Sequence, residues 1–230
     1  MIQKIPKDQL YTSDHGWLQS KFLFSFAEYY DQKNMEWGSL RVFNDDTIAP
    51  HRGFPMHPHS EMEIVTIMLK GSLTHKDSMG NTRTITKGYV QRMSAGTGVT
   101  HSEMNDGDEQ VELFQLWFYP NVTGLTPSYE EKEFQHLGTT GLHTLASTDG
   151  DNGSVSFSSN AKIFYGNFKQ GDSHTLELRD QDYTLLYMRK GNVSTRDIIL
   201  NESDQLRIHH EKGLTLTFNS DSEFIVIASH

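Results

Sequence analysis

Apolar residues in this chain tend to alternate with polar ones, and few recur at the three-to-four residue spacing of a helix. From His57 onward, His57, His59, Glu61, Glu63, Val65, Ile67 and Leu69 fall on one face of an extended chain, with Met62, Ile64, Thr66 and Met68 on the other. Both faces are largely apolar beyond Glu63, so a strand covered on both sides is expected, ended by Lys70-Gly71. Phe22, Phe24 and Phe26 share one face of an earlier strand and read first as core. A short strand is expected at 39–44, a hairpin from 73–75 and 82–86 about the turn at 77–81, and a long strand at 111–119.

The second half repeats the pattern. Runs at 163–168, 173–178, 183–188, 192–195, 205–209, 214–218 and 223–228, separated by Gly, Asn and Asp, predict a second sandwich or barrel. Between the halves, prolines at 120 and 127 and the Gly/Asp/Asn run at 149–153 mark a connection, within which 129–137 could hold a short helix. The expected division is a first domain at 1–125, a connecting segment at 126–153 and a second domain at 154–230. Residues 183–191 echo 63–71 in pattern and share the Lys-Gly ending, a weak internal repeat.

Composition narrows the function class. The 230 residues carry a formal charge of −10 and show no Lys/Arg cluster, which argues against direct nucleic-acid binding. There are no cysteines, so disulfides, zinc–thiolate sites and cysteine nucleophiles are excluded, as fits a reducing compartment. With neither a signal-peptide core nor an apolar run of membrane-spanning length, a cytoplasmic protein that does not engage a membrane is expected.

The candidate chemistry lies at 53–105. His57 and His59 are two apart, as are His101 and Glu103, and residues at i and i+2 of a strand point the same way. Two such pairs on neighbouring strands would converge as three imidazoles and one carboxylate, a donor set that suits iron, manganese, nickel, copper or zinc. Glu63 competes with Glu103 for the carboxylate place. In an unbroken strand Glu63 lies about 13 Å from His59, whereas Glu103 is about 7 Å from His101. No Gly or Pro at 60–62 marks a bulge that would bring Glu63 closer, so Glu103 is assigned as ligand and Glu63 as a supporting or structural residue. The corner Ser94-Ala95-Gly96-Thr97-Gly98 is not followed by a lysine and reads as a turn rather than a phosphate cradle. In the second half, His174 has no partner at i+2, and the adjacent His209 and His210 point to opposite faces, so no metal is expected there. Phe54, Met56, Met93 and Trp117 lie near the ligand strands and are the candidates for a substrate pocket.

These motifs resemble those of the cupin superfamily, and His-Pro-His with Ala-Gly-Thr-Gly-Val-Thr-His-Ser-Glu-Met-Asn is similar to the pirin family, especially its short bacterial members with quercetin dioxygenase activity. The resemblance extends to His15-Gly16-Trp17, Phe24-Ser25-Phe26-Ala27, Leu40 to Asp45 and Asp77 to Asn81. It implies an all-β bicupin fold of two antiparallel jelly-roll barrels, with metal only in the first, held by His57, His59, His101 and Glu103. It puts iron first among the divalent ions, with manganese, nickel, cobalt, copper and zinc as others. The implied reaction is ring opening of a flavonol such as quercetin by O2, with Glu103 taking the flavonol hydroxyl proton. Two other readings remain: a redox-sensing metal protein acting through a protein partner, and an enzyme with a different substrate. A monomer is expected, since the second barrel can cover the first.

Overall fold

The structure is a computed structural model that describes residues 1–134 and 138–229. The regular structure of the described chain is nearly all strand, with 3-10 turns at Lys7–Gln9 and Asp151–Gly153. Its strands fall into two seven-stranded and two four-stranded sheets, each of linear order. Each half of the molecule pairs one large sheet with one small one. No helix among the described residues is long and apolar enough to cross a membrane.

The large sheet of the first half runs Ser128–Glu133, Tyr89–Ser94, Glu63–Lys70, Val111–Phe118, Leu40–Ile48, Leu18–Phe22 and Tyr11–Asp14. Its small sheet runs Arg52–His59, Val99–Asn105, Ser72–Asp77 and Thr82–Thr86. The second half copies this order. Its large sheet is Ile2–Ile5, Gln205–Ile208, Tyr183–Lys190, Ser222–Ser229, Ala161–Phe168, Gly141–Ser147 and Val155–Ser156; its small sheet is Ser173–Glu177, Gly213–Phe218, Asn192–Thr195 and Ile198–Asn201. One outermost strand crosses to the other half. Ile2–Ile5 pairs antiparallel with Gln205–Ile208 of the second half, and Ser128–Glu133 pairs with Tyr89–Ser94 of the first.

The alternation along Glu63–Lys70 shows how the layers form. Val65, Ile67 and Leu69 belong to a core cluster shared with Leu145, Ile163, Tyr187, Ile225 and Ile227 of the other half. The two large sheets are thus joined by one apolar layer, in which Phe43 meets Tyr187 at 5.1 Å between ring centroids. Ile64, Thr66 and Met68 face the small sheet. There Met68 packs with Leu18, Ile48, Leu73, Ile85, Val111 and Leu113, and Ile64 with Met93, Ala95 and Val99. The space left between these two clusters is the candidate site.

Two expectations are corrected. The chain from His57 to Leu69 is not one strand: Arg52–His59 belongs to the small sheet and Glu63–Lys70 to the large one. The break is at Glu61, which takes a left-handed conformation (φ 50°) while its N–H donates to the Gly96 carbonyl at 2.8 Å. A side chain in that conformation costs about 1–2 kcal/mol. The Glu61 carboxylate offsets part of it by accepting the Gly124 N–H at 3.1 Å. The segment expected as a helix from 129 is the strand Ser128–Glu133, drawn into the sheet by six paired positions with Tyr89–Ser94. Residues 135–137 of that expectation lie outside the described residues.

Candidate metal centre

The neighbouring strands Arg52–His59 and Val99–Asn105 set His57 directly opposite His101 and His59 opposite Val99. The register slips by one residue between His101 and Glu103, so two residues, Pro55 and Met56, oppose Ser102 alone. Pro55 has no N–H to give the ladder, which suits it to a bulge. The Pro55 carbonyl accepts His57 Nδ1–H at 2.7 Å. Beyond the bulge the strands approach so closely that a Cβ at residue 53 would lie 2.2 Å from the Glu103 carbonyl, which accounts for Gly53.

The imidazoles converge as the spacing predicts. Ring centroids are 4.5 Å apart for His57 and His101, 4.8 Å for His57 and His59, and 4.9 Å for His59 and His101. The ligand atoms of all three lie within 4.8 Å of one another. Because His57 Nδ1 carries the proton shared with Pro55, its Nε2 holds the lone pair. Nε2 of His59 and Nε2 of His101 are buried with no hydrogen-bond partner. Leaving such atoms unsatisfied is costly, and a cation between them would satisfy both. Desolvation, aided by the neighbouring His57, lowers His59 to about 4, and desolvation with His57, His59 and His75 nearby lowers His101 to about 2. Both rings are therefore neutral at physiological pH, the form in which imidazole binds a metal.

Glu103 is fully buried at the back of the site. Its Oε2 accepts Gln115 Nε2–H at 2.8 Å, and its Oε1 faces Gln91 Nε2 at 3.3 Å and Thr66 Oγ1 at 3.4 Å. Burial raises its pKa. A divalent ion would reverse that cost, since a carboxylate beside a bound cation is favoured in its charged form. The structure brings His57, His59 and His101 into one ligand group, and places Glu103 with His101 in a second group completed by His75. The donor chemistry, neutral imidazoles and a carboxylate with no thiolate, fits a divalent transition metal. Glu63 is elsewhere: its Oε2 accepts Ser94 Oγ–H at 2.8 Å and Ser158 N–H at 3.0 Å, joining the two halves of the molecule.

The imidazoles open onto a cavity of about 380 Å³, walled by Phe26, Phe54, Ile64 and Trp117, with Asn44, Asp46 and Gln115 among its lining. Of the four expected pocket residues, Phe54 and Trp117 line it, and Trp117 stands edge-on to His59 at 4.7 Å. Met56 and Met93 do not. The bulge turns Met56 outward to 56% exposure, and Met93 is buried behind the wall with Ile64, Ala95 and Val99.

His75, Asn44 and Asp46 were not singled out by the sequence. Asn44 and Asp46 are buried polar residues two apart on Leu40–Ile48, a spacing visible in the chain but resembling a turn in Asn-Asp-Asp. Burial lifts Asp46 to about 7, against a hydrogen bond from Ser20 that lowers it. His75, fully buried, lies opposite Glu103 on the next strand of the small sheet and has no i+2 histidine to betray it.

Comparison with known proteins agrees with this architecture. Residues 5–118 match the family model for pirin, and residues 144–228 match the one described as the quercetinase C-terminal cupin domain. A pirin-like protein of Caulobacter vibrioides is 40% identical over 229 residues, covering 99% of each chain. A quercetin 2,3-dioxygenase of Escherichia coli is 36% identical over 215 residues, covering 93% of this chain and 92% of that one. The crystal structure of the bacterial pirin YhhW from Escherichia coli in complex with nickel(II) superposes with a TM-score of 0.94 at 34% identity, covering 100% of this chain and 99% of that one. With its whole length aligned to such relatives and both halves matched, this chain belongs to the pirin family of the cupin superfamily.

Proposed function

We propose that this protein is a metal-dependent dioxygenase that opens the heterocyclic ring of a flavonol-like planar aromatic compound with O2. The observation that carries the reading is the convergence of three neutral imidazoles, two with unpartnered buried Nε2 atoms, on the floor of an apolar cavity. The quercetin 2,3-dioxygenase named among its relatives supports the substrate class.

His57, His59, His101 and Glu103 would hold the ion, a divalent transition metal such as the nickel present in the YhhW structure. When bound, such an ion supplies the positive charge that favours the ionised form of a substrate hydroxyl, together with redox access to dioxygen. The remaining work falls to the chain. Phe26, Phe54, Ile64 and Trp117 exclude water and offer flat apolar surface to a fused ring system. Glu103, charged beside the ion, would take the proton of a substrate hydroxyl on a carboxylate oxygen that it frees from the ion. Gln115, Gln91 and Thr66 hold that carboxylate in a fixed orientation while it does so. The expected closed jelly-roll form of each half belongs to the same reading, with the large and small sheets as the two walls of one barrel.

The test is to load the purified protein with one defined metal at a time, then follow loss of flavonol absorbance together with oxygen uptake and carbon monoxide release. Coupled loss of both reactants that disappears in His57→Ala and Glu103→Ala, each folded, is the expected result. Absence of turnover with iron, manganese, nickel, cobalt and copper alike would sink it.

A further inference from the structure

Behind His101, on the side away from the cavity, the small sheet brings two further side chains into line. The strand Ser72–Asp77 pairs with Val99–Asn105 so that Asp77 lies opposite His101 and His75 opposite Glu103. His75 Nε2 is 3.0 Å from Asp77 Oδ2, and His75 Nδ1 is 3.5 Å from His101 Nδ1, a long contact between two buried rings. Tyr129 covers the opposite side of the His75 ring at 4.8 Å between centroids. No part of the proposed reaction uses His75 or Asp77.

The proton positions follow from what each atom can do. The Asp77 carboxylate caps the hairpin turn: its Oδ1 accepts Met79 N–H at 2.9 Å and Asn81 N–H at 3.0 Å, and its Oδ2 accepts Asn81 Nδ2–H at 2.8 Å. It is an acceptor throughout, so His75 Nε2 carries the hydrogen that it receives. A neutral imidazole with its hydrogen on Nε2 has a lone pair on Nδ1. The nitrogen facing that lone pair, His101 Nδ1, must then be the donor. His101 is left with its lone pair on Nε2, the same buried atom for which the structure offers no partner. The Asp77 contact thus selects one tautomer, and that tautomer puts a lone pair on the orphaned Nε2, where a cation would satisfy it.

We propose that Asp77 and His75 form a hydrogen-bonded relay that fixes His101 as the Nδ1–H tautomer and aims its Nε2 lone pair into the ligand group. This rests on the metal reading of the site. Two of the three histidines are held differently: His57 is fixed by a single backbone carbonyl, whereas His101 is fixed by a charged group acting through a second ring. A carboxylate behind a ligating imidazole orients it and increases its basicity, and loss of such a partner typically weakens metal binding 10–100-fold. His75 and Asp77 are therefore positioning residues. Asp77 also holds the turn, so His75 is the residue on which the relay is tested.

The experiment uses the full chain labelled with ¹⁵N-histidine. In the metal-free protein, two-bond ¹H–¹⁵N correlation should show His101 as the Nδ1–H tautomer. Nickel(II) affinity, measured by competition with a chelator, should fall about 10–100-fold in His75→Phe, which keeps a ring against Tyr129 but has no acceptor. His75→Gln, whose amide oxygen can still accept from His101, should recover most of that loss. An Nε2–H tautomer for His101 in the wild-type protein would overturn the proposal even if the variants fail to fold. So would a folded His75→Phe that binds nickel as tightly as wild type. If wild type and His57→Ala bind nickel equally weakly while the Nδ1–H tautomer is seen, the metal reading falls and the tautomer assignment stands.

Discussion

The two halves of the molecule are built on the same strand order and differ in what fills the space between the sheets. In the first half, the strands carrying His57, His59 and His101 leave a cavity of about 380 Å³. In the second, the corresponding strands Ser173–Glu177 and Gly213–Phe218 pair His174 with Leu216, flanked by buried Leu176, Leu214 and Phe218. Phe168 stacks on Phe218 at 4.5 Å and on Phe224 at 5.9 Å, and His174 lies over Phe168 at 5.0 Å. Gly166 makes room for this stack, since a Cβ there would come within 2.3 Å of the Phe224 ring. One half keeps polar side chains inward and unsatisfied, at a cost in stability; the other fills the same place with aromatic rings. Function and packing are divided between two copies of one framework.

Substitution in each half should break the comparison in opposite ways. The largest effect is expected from His101→Ala, which should reduce bound metal per chain to near zero by elemental analysis, while His174→Ala leaves it at the wild-type level. Equal loss in both would remove the distinction between the halves. Phe224→Ala empties part of the aromatic stack and should cost about 3–5 kcal/mol in denaturant unfolding, with metal content per folded molecule unchanged.

A smaller effect concerns pH. Asp46 is lifted to about 7 in the folded protein, above the roughly 3.9 of an unfolded chain. Between those values the folded state holds a proton that the unfolded state has lost, so rising pH works against the folded state. The metal-free wild type should therefore lose stability relative to Asp46→Asn from about pH 4 to pH 7, by up to about 1.4 kcal/mol per pH unit, and no further above that. Parallel unfolding free energies for the two proteins across this range would refute the shift. The smallest effect is at Glu63. Glu63→Gln should cost about 1 kcal/mol through its bonds to Ser94 and Ser158 and leave metal content intact, separating it in kind from Glu103.

The framework was largely legible because strands announce themselves by alternation. The expected runs at 163–168, 183–188 and 223–228 lie within observed strands, and the turn at 77–81 forms as anticipated. Convergence of the histidines was legible for the same reason, since i,i+2 spacing has few other uses. What the chain concealed depended on contacts distant in sequence. Glu61 breaks a strand without Gly or Pro because Gly96 and Gly124 supply its partners. Met56 is turned out by a bulge defined only by the neighbouring strand, and Met93 is held behind the cavity wall. His75 acquires its place only when the hairpin is laid against Val99–Asn105. Tyr129 sits in a charged stretch that resembles a helix until Tyr89–Ser94 presents an open edge.

The crossing of Ile2–Ile5 to the second half bears on biosynthesis. Ile2–Ile5 and its partner Gln205–Ile208 lie far apart in the sequence, and the Met1 carbonyl accepts the His209 N–H at 2.9 Å. The earlier strand must wait for synthesis of the later one before it can be placed. Completion of the second sheet thus waits for Gln205–Ile208, and a ribosome that stops before that strand leaves Ile2–Ile5 without its partner. All strands of the first half's two sheets lie between Tyr11 and Glu133, so a cut after Glu133 keeps that half's strands together and leaves the second half without its edge strand Ile2–Ile5.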